Sequence, residues 1–149
     1  MKLIDVIDST PIPYGYRIAF LTNFFRGPFL RDLERNYGLI RPEWTILICL
    51  NFQEGITSKD ICEITEQPSN TVSRAVSSLL DKKLISRKVD NNDARRSLLY
   101  ISNAGRKLNT TIMSEIKKIE DQMLDCLSPT ERKQLDKVLD KMCRHVPFW

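Results

Sequence analysis

Between Thr71 and Ile101 the hydrophobic period of the chain switches, and that switch limits what the chain can fold into. In TVSRAVSSLLDKKL, Val72, Ala75, Val76, Leu79 and Leu80 recur at steps of three and four and mark one face of a helix. The opposite face carries Asn70, Thr71, Ser73, Arg74, Ser77 and Ser78, nearly all short and polar. Leu84 to Val89 then alternates weakly, as a half-buried strand does, and Leu98 to Ile101 returns after a polar tip. Two such strands predict a hairpin whose tip, DNNDARR, is rich in charge. The expected fold class is therefore mainly α with a small β-hairpin.

The flanks read as helices. Residues 1–12 look like an arm. From Pro13, Ile18, Leu21, Phe25, Phe29, Leu33 and Tyr37 keep helical spacing up to a stop at Gly38. Gly27-Pro28 interrupts this pattern without shifting its phase, which predicts one kinked helix. Arg41-Pro42-Glu43 opens a further helix with Pro in its first turn. Its body, WTILICLNF, is apolar nearly all round, and its β-branched residues suit a buried strand equally well. Thr57 with Asp60 three residues on, and Ile56 able to pack on Ile61, marks a short helix ending near Glu66. Ser102 starts a long helix striped by Leu108, Ile112, Ile116, Ile119, Met123 and Leu127. Ser128-Pro129-Thr130-Glu131 starts the last, striped by Leu135, Val138, Leu139 and Met142.

Charge is unevenly placed. The 149 residues carry a net +4. Between Ser69 and Lys107 stand nine basic residues: Arg74, Lys82, Lys83, Arg87, Lys88, Arg95, Arg96, Arg106 and Lys107. Against them are only Asp81, Asp90 and Asp93, so this segment is basic and the rest of the chain slightly acidic. Such a patch is the electrostatic footprint of a nucleic-acid surface.

Other chemistries find little support. The single histidine, His145, lies near the end, and no Gly-rich phosphate loop or nucleophile motif is present, so an enzyme is not expected. Cys49, Cys62, Cys126 and Cys143 form no C-x-x-C pair, which argues against a structural metal. They read as small reduced core or interface residues, and whether any senses redox state is left open. No cofactor is expected. The longest apolar run, Trp44 to Leu50, is too short to span a membrane, and the N-terminus makes a poor signal peptide. The expected location is cytoplasmic.

With double-stranded DNA as partner, each piece has a physical reason. A recognition helix needs one apolar face to hold it and a short polar face to approach base edges. Ser69, Asn70, Thr71, Ser73 and Ser77 are short enough, and Arg74 can reach a guanine edge or a phosphate. Thr57, Ser58 and Lys59 stand at a helix start suited to phosphate. Arg87 and Lys88 add charge on the first strand. Arg95 and Arg96 sit near the hairpin tip, where they can reach a phosphate or a narrow minor groove. Asp93, two residues before Arg95, is placed to hold its guanidinium extended. The plain alternatives are a solvated helix face and an exposed ion pair of small worth.

The segment TVSRAVSSLLDKKLISRKVDNNDARRSLLYISNAGRKL resembles the core of MarR-type winged helix-turn-helix regulators. SPTERKQLDKVLDKM is similar to the closing helix of that family, and RPEWTILICL more loosely to an earlier one. The resemblance spans residues 13–145. Its most specific part is Asp93-Ala94-Arg95 in the wing, followed by a strand and then Gly105. Three positions depart from the family pattern: Lys83 stands where glycine is usual, Pro68 sits at the start of the recognition helix, and Gly27-Pro28 breaks the first helix.

The resemblance implies one MarR-like domain over 1–149. Residues 42–101 would be the winged helix-turn-helix lobe, and 13–38 and 102–147 the N- and C-terminal dimerisation helices. It implies a homodimer on a pseudo-palindromic operator, acting as a repressor, with half-sites about 34–36 Å apart. It also implies a small aromatic or phenolic effector in a crevice lined by Phe29, Tyr37 and Trp44. The competing reading of those three is plain core, and that of the apolar stripes is packing within one chain. A winged-helix module that binds protein instead of DNA is the competing function.

Overall fold

The structure is a computed structural model that describes residues 2–148. Among those residues are seven α-helices, one two-stranded sheet and a closing 3-10 turn. Compact clustering divides the chain into two units, with the boundary after Ser114.

The N-terminal residues are not a bare arm. Leu3–Asp8 forms a short helix, α1, which packs on the next helix and buries Ile7. The Asp5 carboxylate accepts the Lys2 N–H at 2.7 Å at its start. Six residues are too few for a periodic signal to stand out. α2 (Pro13–Tyr37) runs as one helix through Pro28, as the unbroken phase predicts, and buries Phe29 and Leu33. Gly38 ends it in the left-handed conformation, φ 61°, with its N–H on Glu34 O.

α3 (Arg41–Phe52) settles the helix-or-strand question in favour of helix. It buries Ile46, Leu47 and Leu50. Among them is a carboxylate: Glu43 is only 2% exposed. Its Oε2 accepts the Ile40 N–H at 2.8 Å, and its Oε1 accepts from Lys82 Nζ at 2.7 Å. Burial pushes the Glu43 carboxyl up, but the bonds from Lys82, Ser78 and the Ile40 amide outweigh it and hold the group below the usual carboxylate range.

α4 (Ser58–Thr65) begins with a reciprocal cap: Asp60 N–H donates to Thr57 Oγ1, and Thr57 N–H to Asp60 Oδ2. The flanking pair Ile56 and Ile61 is buried. α5 (Ser69–Asp81) buries Val72, Ala75, Val76 and Leu79 between α3 and α4. It ends in a Schellman motif: Leu84 N–H reaches Leu79 O and Lys83 N–H reaches Leu80 O. Lys83 therefore sits at φ 57°, a left-handed position that favours glycine.

β1 (Ile85–Val89) and β2 (Ser97–Ile101) pair antiparallel, Ile85 against Ile101 and Val89 against Ser97. The sheet has a third contact that alternation does not reveal. Leu99 N–H donates to Ile56 O, and Gly55 N–H to Leu99 O, both at 2.9 Å. That bridge joins the hairpin to the start of α4.

α6 (Asn103–Leu124) is capped by Ser102, whose Oγ accepts the Gly105 N–H and donates to Lys83 O. A Cβ on Gly105 would lie 2.1 Å from Leu84 O, so only glycine fits there. α7 (Pro129–His145) has the Ser128–Glu131 capping box that its sequence predicts. It buries none of its residues. No described helix is long and apolar enough to cross a membrane.

Lys83→Gly relieves the left-handed strain while keeping the backbone bonds. It is expected to stabilise the protein by about 1 kcal/mol, read as a rise of a few degrees in thermal unfolding. Gly105→Ala forces α6 off the Leu84 carbonyl and is expected to cost about 2 kcal/mol or more in denaturant titration.

Candidate nucleic-acid interface

Burial of one face of α5 leaves the other outward. Ser69, Asn70, Ser73, Arg74 and Ser77 are exposed on it. Asn70 Oδ1 accepts the Thr71 N–H at 2.8 Å, which helps finish a helix start where Pro68 offers no capping side chain. Thr71 is only half-buried to solvent, not fully outward as the helical wheel suggests. It lines a depression of about 370 Å³ with Ile40, Pro42, Glu43, Arg74, Ala75 and Ser78. Arg74 makes no hydrogen bond or ion pair among the described residues, so its guanidinium is free to reach outward.

At the start of α4 the Thr57 hydroxyl is committed to Asp60, giving Thr57 a capping role in this structure. The Thr57 amide and hydroxyl lower the Asp60 carboxyl, with help from the charges of Arg96 and Lys59. Ser58 is half-buried. Lys59 is exposed, with a loose 3.7 Å pair to Glu63.

The hairpin tip is built by its acids, though not in the way its sequence suggests. Asp93 does not extend the Arg95 guanidinium; its Oδ1 accepts the Arg95 backbone N–H at 3.0 Å. Asp90 Oδ1 accepts the Asn92 N–H at 2.9 Å in the same manner. These are Asx turns, in which a short carboxylate replaces a missing backbone acceptor. Asp90 N–H to Arg96 O and Arg96 N–H to Asp93 O complete the loop. The two arginines then differ. Arg96 pairs with Asp90 at 3.8 Å, and Asp90 is nearly buried. Arg95 shows no side-chain partner among the described residues and is exposed.

Residues 37–96, which run from the end of α2 through the wing, match the family model described as MarR family. The MepR–DNA complex of S. aureus is 28% identical, with 88% of this chain and 96% of that chain covered at a TM-score of 0.74. The chain is similar to MarR-family regulators in sequence over that segment and in fold over most of its length. These are winged helix-turn-helix transcriptional regulators, not enzymes. MepR described as a transcription regulator of the Staphylococcus aureus multidrug efflux pump MepA is 27% identical, covering 89% and 98% at a TM-score of 0.72. A mutant MarR from E. coli, 16% identical over 91% and 99% at 0.78, shares the fold. No curated protein matches the chain.

Within this MarR-like fold, the basic surplus of the sequence divides in two. Lys82, Arg96 and Arg106 are held by Glu43, Asp90 and Glu54. Arg74, Lys83, Arg87, Lys88, Arg95 and Lys107 form no ion pair among the described residues. Arg87 and Lys88 are exposed on β1, and Lys88 Nζ lies 5.0 Å from the centroid of the Tyr100 ring. Of the aromatic trio, Phe29 is buried, its ring centroid 4.9 Å from that of Trp44. Tyr37 and Trp44 are half-buried. Trp44 Nε1 is buried without an acceptor. Sequence reasoning missed Glu43 as the partner of Lys82, because 39 residues separate them and no local pattern joins them.

Because Asp93 acts through its acceptor oxygen and not its charge, Asp93→Asn is expected to preserve the wing. Asp93→Ala should raise the hydrogen-exchange rate of the Arg95 amide several-fold, as loss of one hydrogen bond of about 1 kcal/mol does.

Proposed function

We propose that this chain is a homodimeric, sequence-specific DNA-binding regulator that occupies a pseudo-palindromic operator and represses transcription. The observation that carries the reading is the pairing of a short-side-chain outward face on α5 with an unpartnered Arg95 at the wing tip. The first admits close approach to base edges in the major groove; the second supplies a cation at the reach of a minor groove or a phosphate. Arg87 and Lys88 supply further charge for phosphate, while Ser58 and Lys59 stand at the start of α4. MepR, the 28% identical relative, was solved bound to DNA.

The paired state is supported by uncovered apolar surface. On α2, Ile18, Leu21 and Phe24 are exposed; on α7, Val138, Leu139 and Met142 are. Side chains of this size at helical spacing, left open, are what a second copy would cover. Residues 13–38 and 102–147 then serve as pairing helices, and 42–101 as the DNA-binding lobe. Repression follows if the bound dimer blocks access to the operator. An aromatic effector at Phe29, Tyr37 and Trp44 draws support from the Trp44 N–H, which lacks an acceptor inside the fold.

Selection of bound duplexes from a random pool tests this directly. Two related half-sites about one helical turn apart are expected. No retention at micromolar protein and low salt would favour a protein-binding winged helix. Arg95→Ala should weaken operator binding and reduce the slope of log affinity against log salt by about one. Arg96→Ala should leave that slope nearly unchanged, because Arg96 is already neutralised by Asp90.

A further inference from the structure

The ion pair between the buried Glu43 of α3 and the partly exposed Lys82 at the end of α5 is unusual in what it joins. Lys82, the residue that closes α5, sends Nζ to two acceptors at once: Gly38 O at 2.7 Å and Glu43 Oε1 at 2.7 Å. Gly38 is the left-handed cap of α2. Glu43 lies in the first turn of α3 and also accepts from the Ile40 N–H, and the Ser78 side chain helps hold its carboxyl below the usual range. One cation thus ties the end of α2, the start of α3 and the end of α5. Thr71, Ala75, Ser78 and Lys82 fall at steps of four, three and four, so this polar anchor continues a single seam of α5.

The rest of the α5 contact is apolar: Val72, Ala75, Val76 and Leu79. Apolar burial is roughly proportional to area and carries no direction, so it resists separation of two helices more than their rotation. Hydrogen bonds to a buried carboxylate depend on both distance and angle. A rotation of about 10° would carry a side-chain tip at a radius of about 6 Å through about 1 Å. That is enough to lose a base contact, and it is also enough to break the Lys82 bonds.

We infer that Lys82 and Glu43 are positioning residues for DNA recognition, holding the rotation of the recognition helix α5 against α2 and α3 while touching no DNA themselves. The inference rests on the homodimeric DNA-binding reading above. In a dimer the rotation of each α5 sets the angle between the two half-sites it can read. Spacing selectivity is therefore the property the pair controls.

The test uses the selected operator and two duplexes with the half-sites moved one base pair closer or farther, each step rotating a half-site by about 35°. Wild-type protein is expected to prefer the native spacing by about tenfold. Glu43→Gln with Lys82→Met removes both charges together, so none is left stranded inside. That variant should fold and keep its salt slope, but its preference should fall to about twofold or less. Ser78→Ala, which removes a hydroxyl that helps stabilise the Glu43 carboxylate, should give an intermediate preference, and Lys82→Arg should restore most of it. Lower stability alone scales all three affinities together and leaves their ratio unchanged. A double variant, or Ser78→Ala, with wild-type discrimination would overturn the inference and leave the DNA reading intact. Wild-type protein that binds none of the three duplexes would overturn both.

Discussion

The apolar seam that seats α5 on α3 and α4 is the contact on which the other features depend. Val72, Ala75, Val76 and Leu79 are all buried. Each fully buried aliphatic side chain contributes about 1.5–3 kcal/mol, more than any exposed ion pair in the molecule can supply. Burial of this face decides which residues look outward. Ser69, Asn70, Ser73, Arg74 and Ser77 are presented because their neighbours three and four positions away are not. The outward polar face is thus a consequence of core packing, and a core substitution at Val76 would loosen its seating without touching it.

The wing is held by a different kind of constraint. Its two strands alone would be marginal in water. The Ile56–Leu99 bridge ties them to the start of α4, and Leu99 is fully buried. At the other end, Ser102 binds Lys83 O while Gly105 lets α6 approach Leu84 O. The hairpin base is therefore clamped on both sides, and only the Asp90–Arg96 loop projects. Within that loop, two Asx turns give the backbone its acceptors. Rigidity in the loop lowers the entropy that an arginine at its tip must lose on binding.

What could be read in the sequence follows from range. Helix faces and caps are local: the α5 stripe, the Thr57–Asp60 and Ser128–Glu131 boxes and the stop at Gly38 were all legible because their partners lie within a few residues. The strand pair was legible because its tip is short. Long-range pairings were not. Ile56 shows no strand pattern, since a one-residue bridge has no alternation to display. Lys82 and Arg106 counted as surface charge because Glu43 and Glu54 lie 39 and 52 residues away. Asp93 is ambiguous in the sequence for a subtler reason. Spacing alone cannot tell whether a carboxylate two residues before an arginine meets its guanidinium or its amide.

Charge counts illustrate the same limit and sharpen the physical picture. A surplus of basic residues over 69–107 suggests nine cations awaiting phosphate. Three of the nine instead hold the fold, each against a carboxylate contributed from elsewhere or from the loop itself. The division has a logic. A cation already paired releases little on meeting a phosphate, since its own counter-charge must first be given up. An unpaired one carries its full attraction into the encounter. Structure thus separates the cations that fix geometry from those that can attract a polyanion. Arg95 and Arg96, adjacent in sequence and alike in chemistry, fall on opposite sides of that line because only one of them has Asp90 within reach.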